Sequence, residues 1–196
     1  MVSQPVYLAN LKAYGRARWS NDTEAERAAA SMTQDESDRG AILMAATNLE
    51  DILEYKILQQ LPTLREDETA RKQMFEQDGP LATFSRKIAM AYAMGFIDKP
   101  YRKLIDLARE IRNAAAHSRQ PITVQVPEVK AAIEVLVADS LDGLRDDNPR
   151  ALLGAYEIKC ATLAHYVVTG ERIEGMQALM AFWRSLQEPP VEPSGQ

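Results

Sequence analysis

Acid–base chemistry near neutral pH has two histidines to draw on in this 196-residue chain, His117 and His165. His117 stands in the more suggestive context. It lies in LAREIRNAAAHSRQP, residues 107–121, five positions after Arg112 and four after Asn113. An imidazole can take and return a proton, and the planar fork of an arginine grips two phosphate oxygens. Together they suit metal-free RNA cleavage, in which a ribose 2′-OH attacks the adjacent phosphorus. His117 would then move the proton, and Arg112 would stabilise the charge on phosphorus. Five residues of helix turn through about 500°, so the two side chains stand about 140° apart. They can reach one ligand only near a helix end, and Pro121 supplies such an end. A plainer arrangement uses the same residues: Arg112 pairs with a carboxylate such as Asp38 or Asp51, and His117 caps the helix.

The surrounding window is basic. Between Pro80 and Pro121 stand Arg86, Lys87, Lys99, Arg102, Lys103, Arg109, Arg112 and Arg119, against Asp98, Asp106 and Glu110. Arg86, Lys87, Arg102, Arg109 and Arg119 are the candidate phosphate or nucleic-acid contacts, with a solvated helix face as the alternative. The chain as a whole carries a net charge of −5, which argues against a general DNA-coating role. Other chemistry is thinly represented. The sequence has no GxxxxGK[ST] loop, no GxGxxG and no GxSxG elbow. With two histidines and one cysteine a zinc site is not expected, and no cofactor is implied. Glu50 and Glu54, with Asp51 beside them, lie four apart on a helix and read as a solvated acidic face rather than a metal site. Cys160 reads as a small packed residue, and His165, in ATLAHYVV, as a packed or hydrogen-bonded one.

The elements that must position these groups are helices. Ile42, Ala45, Ala46, Leu49, Ile52, Leu53 and Ile57 recur at helical spacing, so residues 36–61 form a long amphipathic helix stopped before Pro62. Thr63 and Glu66 suggest a capping box for a helix over about 64–77. Pro80 opens the next helix, with Leu81, Phe84, Ile88 and Tyr92 on one stripe and Gly95 at its end. Asp98 caps a helix through Tyr101, Leu104, Ile105, Ala108, Ile111 and Ala115 that ends near His117. PITVQV is too short for an independent sheet and reads as an extended connector. Pro127 starts a helix bearing Val129, Ala132, Ile133, Leu136 and Leu141, and Asn148–Pro149 start another that runs to Thr169 before Gly170. A last helix is expected over about 171–187, with Trp183 near its end.

These signals predict an all-α chain: an antiparallel bundle of five to seven helices over 34–187. An N-terminal arm over 1–33 precedes it, with NDTEAERAAAS helical and Tyr7, Leu8, Leu11, Tyr14 and Trp19 packing as the arm. A proline-rich tail over 188–196 is expected to be disordered. No apolar run approaches the roughly 18 residues of a membrane span. The N-terminus lacks the apolar stretch of a secretory signal, and a single cysteine permits no intrachain disulfide. A reducing, cytoplasmic setting is the expectation.

Two stretches resemble the mannitol operon repressor (MtlR) family: SDRGAILMAATNLEDILEYKIL at 37–58, and GPLATFSRKIAMAYAMGFIDKPYRKLIDLAREIRNAAAHS at 79–118. The shared features are Gly79-Pro80-Leu81, Phe84-Ser85, the AYAMGFI segment and IRN…AH, with Asp38, Arg39 and Gly40 matching the start of the first helix. The IRNxxAH element is also similar to the motif of the wider HEPN superfamily, onto which Arg112, Asn113 and His117 map. That resemblance implies an α-bundle that dimerises so that two motifs face one cleft; some such proteins are endoribonucleases and others are binding modules. Where relatives often carry an aromatic residue two positions before the histidine, this chain has Ala115, so a less firmly packed helix end is expected. Two functions follow. One is a transcriptional regulator or co-repressor that acts through protein contacts, as a homodimer and with a DNA-binding protein as its partner. The other is a metal-independent endoribonuclease or RNA-binding module built on Arg112 and His117. Direct sequence-specific DNA binding is not expected, because the one candidate helix pair, 80–95 and 99–118, has a long second helix pinned by core residues.

Overall fold

In a computed structural model of the chain the described residues are 5–16, 36–139 and 148–173, with residue 181. They form eight helices and no strand: α1 (Val6–Arg16), α2 (Glu36–Gln59), α3 (Pro62–Glu66), α4 (Glu68–Phe75), α5 (Phe84–Ala93), α6 (Lys99–His117), α7 (Pro127–Val137) and α8 (Pro149–Thr169). The expected helix at NDTEAERAAAS, Trp19, Leu141, Trp183 and the tail over 188–196 lie outside the described residues. Residues 171–173, where a last helix was expected to begin, are not helical.

The helix ends follow local chemistry. The Asp98 carboxylate accepts the Tyr101 N–H at 2.9 Å, and the Asn148 side chain accepts that of Arg150 at 3.0 Å. Each thereby satisfies a donor that has no partner inside its own helix. Gly95 and Gly170 close α5 and α8 at φ 77° and 75°, a conformation costly for any residue with a Cβ. Two expected ends differ. The Thr63–Glu66 box does not form. Asp67 instead accepts the Ala70 N–H at 3.0 Å and divides the expected 64–77 helix into α3 and α4. Nor does Pro80 open α5. The Leu81 N–H donates back to the Met74 carbonyl at 2.8 Å, which holds residues 79–82 in a turn until Phe84.

Helix α2 is the central element. Ile42, Ala46, Leu49 and Leu53 are fully buried on it, against Ile88 and Ala91 of α5, Ile105, Ala108 and Ile111 of α6, and Tyr156 and Leu163 of α8. Ala45 and Ile52 are only half-buried, so the apolar stripe of α2 is wider than its core side requires. α7 closes the bundle with Val129, Ala132, Ile133 and Leu136. The connector 121–126 was expected to be extended, but its second half closes as a turn, with the Val126 N–H donating to the Thr123 carbonyl at 3.2 Å, and it places Ile122 and Val124 in the core. α1 also belongs to this core, since Leu11 is fully buried and the Tyr14 hydroxyl donates to the Pro121 carbonyl at 2.6 Å. Packing is not antiparallel throughout. Tyr156 bonds to Ile42 and Lys56 to Val168, so α2 and α8 run in the same direction. α6 runs against α8, with Tyr101 at its start stacked on Tyr166 near the end of α8. A smaller cluster of Ile57, Phe75 and Leu81 fastens α4 and the 79–82 turn to the end of α2.

That turn depends on Gly79. A Cβ placed there would stand 2.5 Å from the carbonyl oxygens of both Gln73 and Met74. These carbonyls lie in the last turn of α4, and moving that of Met74 would break its bond from the Leu81 N–H, so Gly79→Ala is expected to lower stability by about 1–3 kcal/mol, the usual cost of overpacking. Urea denaturation checks this, and an unchanged midpoint would show that the turn is looser than described.

Candidate functional site at the end of α6

The last turn of α6 leaves carbonyls without intrahelical donors and carries partial negative charge. Arg39, in the first turns of α2, answers both needs. Its guanidinium donates to the carbonyls of Ala115 at 2.6 Å, Gln120 at 2.9 Å and Ser118 at 3.3 Å. The neighbouring Asp38 carboxylate accepts the Val124 N–H at 3.1 Å. One Asp-Arg step thus fixes both sides of the chain reversal that follows α6. Ala115 is fully buried beneath this clamp, so the helix end is firm without an aromatic side chain there. A cation opposes the helix dipole at the start of a helix, which is the sequence signal that Arg39 serves a tertiary partner.

Within this frame Arg112 and His117 point to different surroundings. Arg112 is directed into the seam between α2 and α6. Its Nη1 donates to the Asn113 side-chain oxygen at 3.3 Å, and its Nη2 lies 3.7 Å from a Glu50 carboxylate oxygen. Its Nε is buried without an acceptor among the described residues. His117 is exposed on the final turn of α6. The carboxylate that meets Arg112 is therefore Glu50, not Asp38 or Asp51. Asp38 is committed to Val124, and Asp51 is exposed.

Glu50 is not part of a solvated acidic face. Its side chain is 12% exposed and also lies 3.2 Å from the Lys87 ammonium, which reaches Glu54 at 2.7 Å. Lys87, a candidate phosphate contact by sequence, is buried between these two carboxylates. Burial pulls its pKa down, but the hydrogen bonds and charges of Glu54 and Glu50 outweigh that and leave it raised above the ordinary value of 10.5.

The other basic candidates are spread out. Exposed Arg86 donates to the Gly79 carbonyl at 2.9 Å. Arg102 lies 4.7 Å from the centre of the Tyr92 ring and 3.8 Å from Asp106. Arg109 binds Glu110 at 2.7 Å and Asp106 at 3.5 Å, and Glu110 also receives Lys12 of α1 at 3.4 Å. Arg119 is exposed beyond the helix end. Arg102 in the first turn of α6 and His117 at its end stand about 22 Å apart along the helix axis. The basic window is therefore largely a set of intramolecular ion pairs around α6, and the structure does not gather it into one patch with His117.

A second concave feature escaped sequence reasoning. Between α2 and α8 runs a largely apolar groove of about 520 Å³, with Met44, Ala45 and Ile52 on one wall and Cys160, Ala161 and Ala164 on the other. The half-buried Ala45 and Ile52 that widen the α2 stripe are the signal that could have revealed it. Cys160 sits at its floor, where burial pushes the thiol up to about 12, so it is no thiolate nucleophile near neutral pH. No cluster able to hold a metal ion occurs among the described residues, and none of their helices is long and apolar enough to cross a membrane. Comparisons with protein-family models, with curated proteins and with solved structures found no match to this chain.

Two outcomes follow from these contacts. Arg39→Ala is expected to accelerate amide exchange at residues 118–124 while leaving α5 unchanged; uniform acceleration or none would remove the clamp from the account. Lys87→Met leaves two adjoining carboxylates poorly compensated and is expected to cost about 3–5 kcal/mol near neutral pH. Because the folded pKa of Lys87 is raised, its contribution is fully present below the ordinary 10.5 and fades as pH climbs through the folded value. Denaturation of both proteins across alkaline pH should show their difference shrinking there, and a constant gap would contradict the assignment.

Proposed function

We propose that this chain is a cytoplasmic transcriptional regulator of the mannitol-operon-repressor type, acting as a homodimer through protein contacts. The observation that carries the reading is the direction of Arg112. Its guanidinium is engaged by Glu50 and Asn113 in the α2–α6 seam, whereas His117 faces solvent, so one protomer does not assemble the two into a phosphate pocket. The groove between α2 and α8 supports contact with protein, because an apolar concavity is poorly suited to a polyanion. α6 is an awkward DNA-reading helix. Ile105, Ala108, Ile111 and Ala115 bind it into the core, and Arg102 and Arg109 are engaged with Asp106 and Glu110.

A second reading, a metal-independent endoribonuclease of the HEPN type, draws on the exposure of His117 and on the Arg112 Nε, a buried donor without an acceptor among the described residues. One comparison separates the two. In source cells lacking the chain, a His117→Ala copy is expected to restore transcript levels as well as the unaltered copy does. Purified protein with RNA in EDTA is expected to leave the RNA intact. Cleavage that disappears in His117→Ala, together with failed complementation, would overturn the regulator reading in favour of the nuclease.

A further inference from the structure

We infer that α1 is a detachable strap: it undocks and unwinds as a unit while the rest of the bundle stays folded, and its docking sets how firmly the chain reversal after α6 is held. This property belongs to α1 whichever function the chain serves. α1 packs on α6 and α7. Among its described side chains only Leu11 is fully buried, while Tyr7, Leu8 and Tyr14 are half-buried and Val6 is 75% exposed. Two polar contacts add to this seat, from the Lys12 ammonium to Glu110 at 3.4 Å and from the Tyr14 hydroxyl to the Pro121 carbonyl at 2.6 Å. The bundle beneath has its own cohesion. α2 is buried against α5, α6 and α8, and Glu50 joins α2 to both α5 and α6. A helix of eleven residues is too short to persist alone in water, so leaving the seat and losing its hydrogen-bond ladder are one event.

The covalent link to the next helix does not oppose this motion. Residues 17–35 separate α1 from α2. A stretch of that length reaches from about 30 Å when helical to about 65 Å when extended. Yet the elements at its two ends are moored to one place, Tyr14 at Pro121 and Asp38 at Val124. α1 can therefore leave without drawing α2 after it. The same moorings couple the strap to the end of α6. Arg39 and Asp38 grip the reversal over 118–124 from within the bundle, and Tyr14 grips it from α1. Undocking removes the second grip and uncovers the core around Leu11. His117 stands immediately before that reversal, so the turn that carries it loosens when α1 departs. A unit with few buried side chains lies at the low-energy end of local opening.

The test is amide hydrogen exchange of the full chain, followed by mass spectrometry at several urea concentrations below the unfolding transition. In the unaltered protein α1 is expected to exchange at least about tenfold faster than residues 42–53 of α2 and 155–163 of α8. Its exchange should depend only weakly on urea, because undocking one short helix exposes little surface, whereas the two core segments should show a steep dependence. Leu11→Asp places a charge in the apolar seat and should leave α1 without protection while 42–53 and 155–163 stay protected. Tyr14→Phe keeps the ring and removes the hydroxyl, so α1 and 118–124 should both accelerate by about twofold to tenfold, the usual worth of one hydrogen bond. An α1 that shares the rate and urea dependence of α2 and α8 would overturn the strap. So would loss of protection across the whole chain in Leu11→Asp. Acceleration of α1 without 118–124 in Tyr14→Phe would overturn the coupling to the end of α6, and no change at either segment would overturn that grip altogether.

Discussion

A single, largely covered carboxylate sets the relation of three helices. Glu50 of α2 takes Lys87 from α5 and faces Arg112 from α6, in a seam where water is scarce. An apolar contact between helices tolerates small slides, because one methyl replaces another at little cost. A carboxylate between two cations does not, since displacement would leave a buried charge uncompensated. Lys87 is fastened further by Glu54, one helical turn beyond Glu50. The apolar core supplies the cohesion of the bundle, and this network assigns α5 and α6 their register on α2.

The direction of Arg112 follows from that register and determines what the end of α6 offers. With the arginine held inward, the terminal turn presents His117 on a backbone gripped from below by Arg39 and bounded by Tyr14 on Pro121. The end is tied down by these bonds while His117 stays exposed on it.

Much of the helical outline was legible in the sequence because it rests on neighbours in the chain. Asp98, Gly95, Asn148 and Gly170 act within a few residues of themselves, and their caps form as their types predict. The errors at Thr63 and Pro80 are contests between two plausible local signals, decided by Asp67 and by the return of Leu81 onto Met74. The candidate site was less legible for a different reason. The partners of Arg112 and Lys87 on α2 lie tens of residues away, and a charge count treats every lysine as a surface cation. Tyr92 marks the same limit, since its place on the α5 stripe predicted burial, yet the residue is 39% exposed, with Arg102 over its ring. The groove between α2 and α8 was signalled only by the width of the α2 stripe, because neither helix alone shows that the other leaves its flank uncovered.

The parallel pairing of α2 with α8 also dictates a schedule. A ribosome releases the chain from the N-terminus at about 5–20 residues per second. α1 has nothing to seal against until α6 and α7 emerge, and α2 waits for α8, whose bond from Tyr156 to Ile42 spans 114 positions. For a helical protein this is a long deferral, because most helical bundles close through near neighbours. The apolar stripe of the central helix therefore spends much of synthesis without its final cover, and closure of the domain is a late event in the life of the nascent chain.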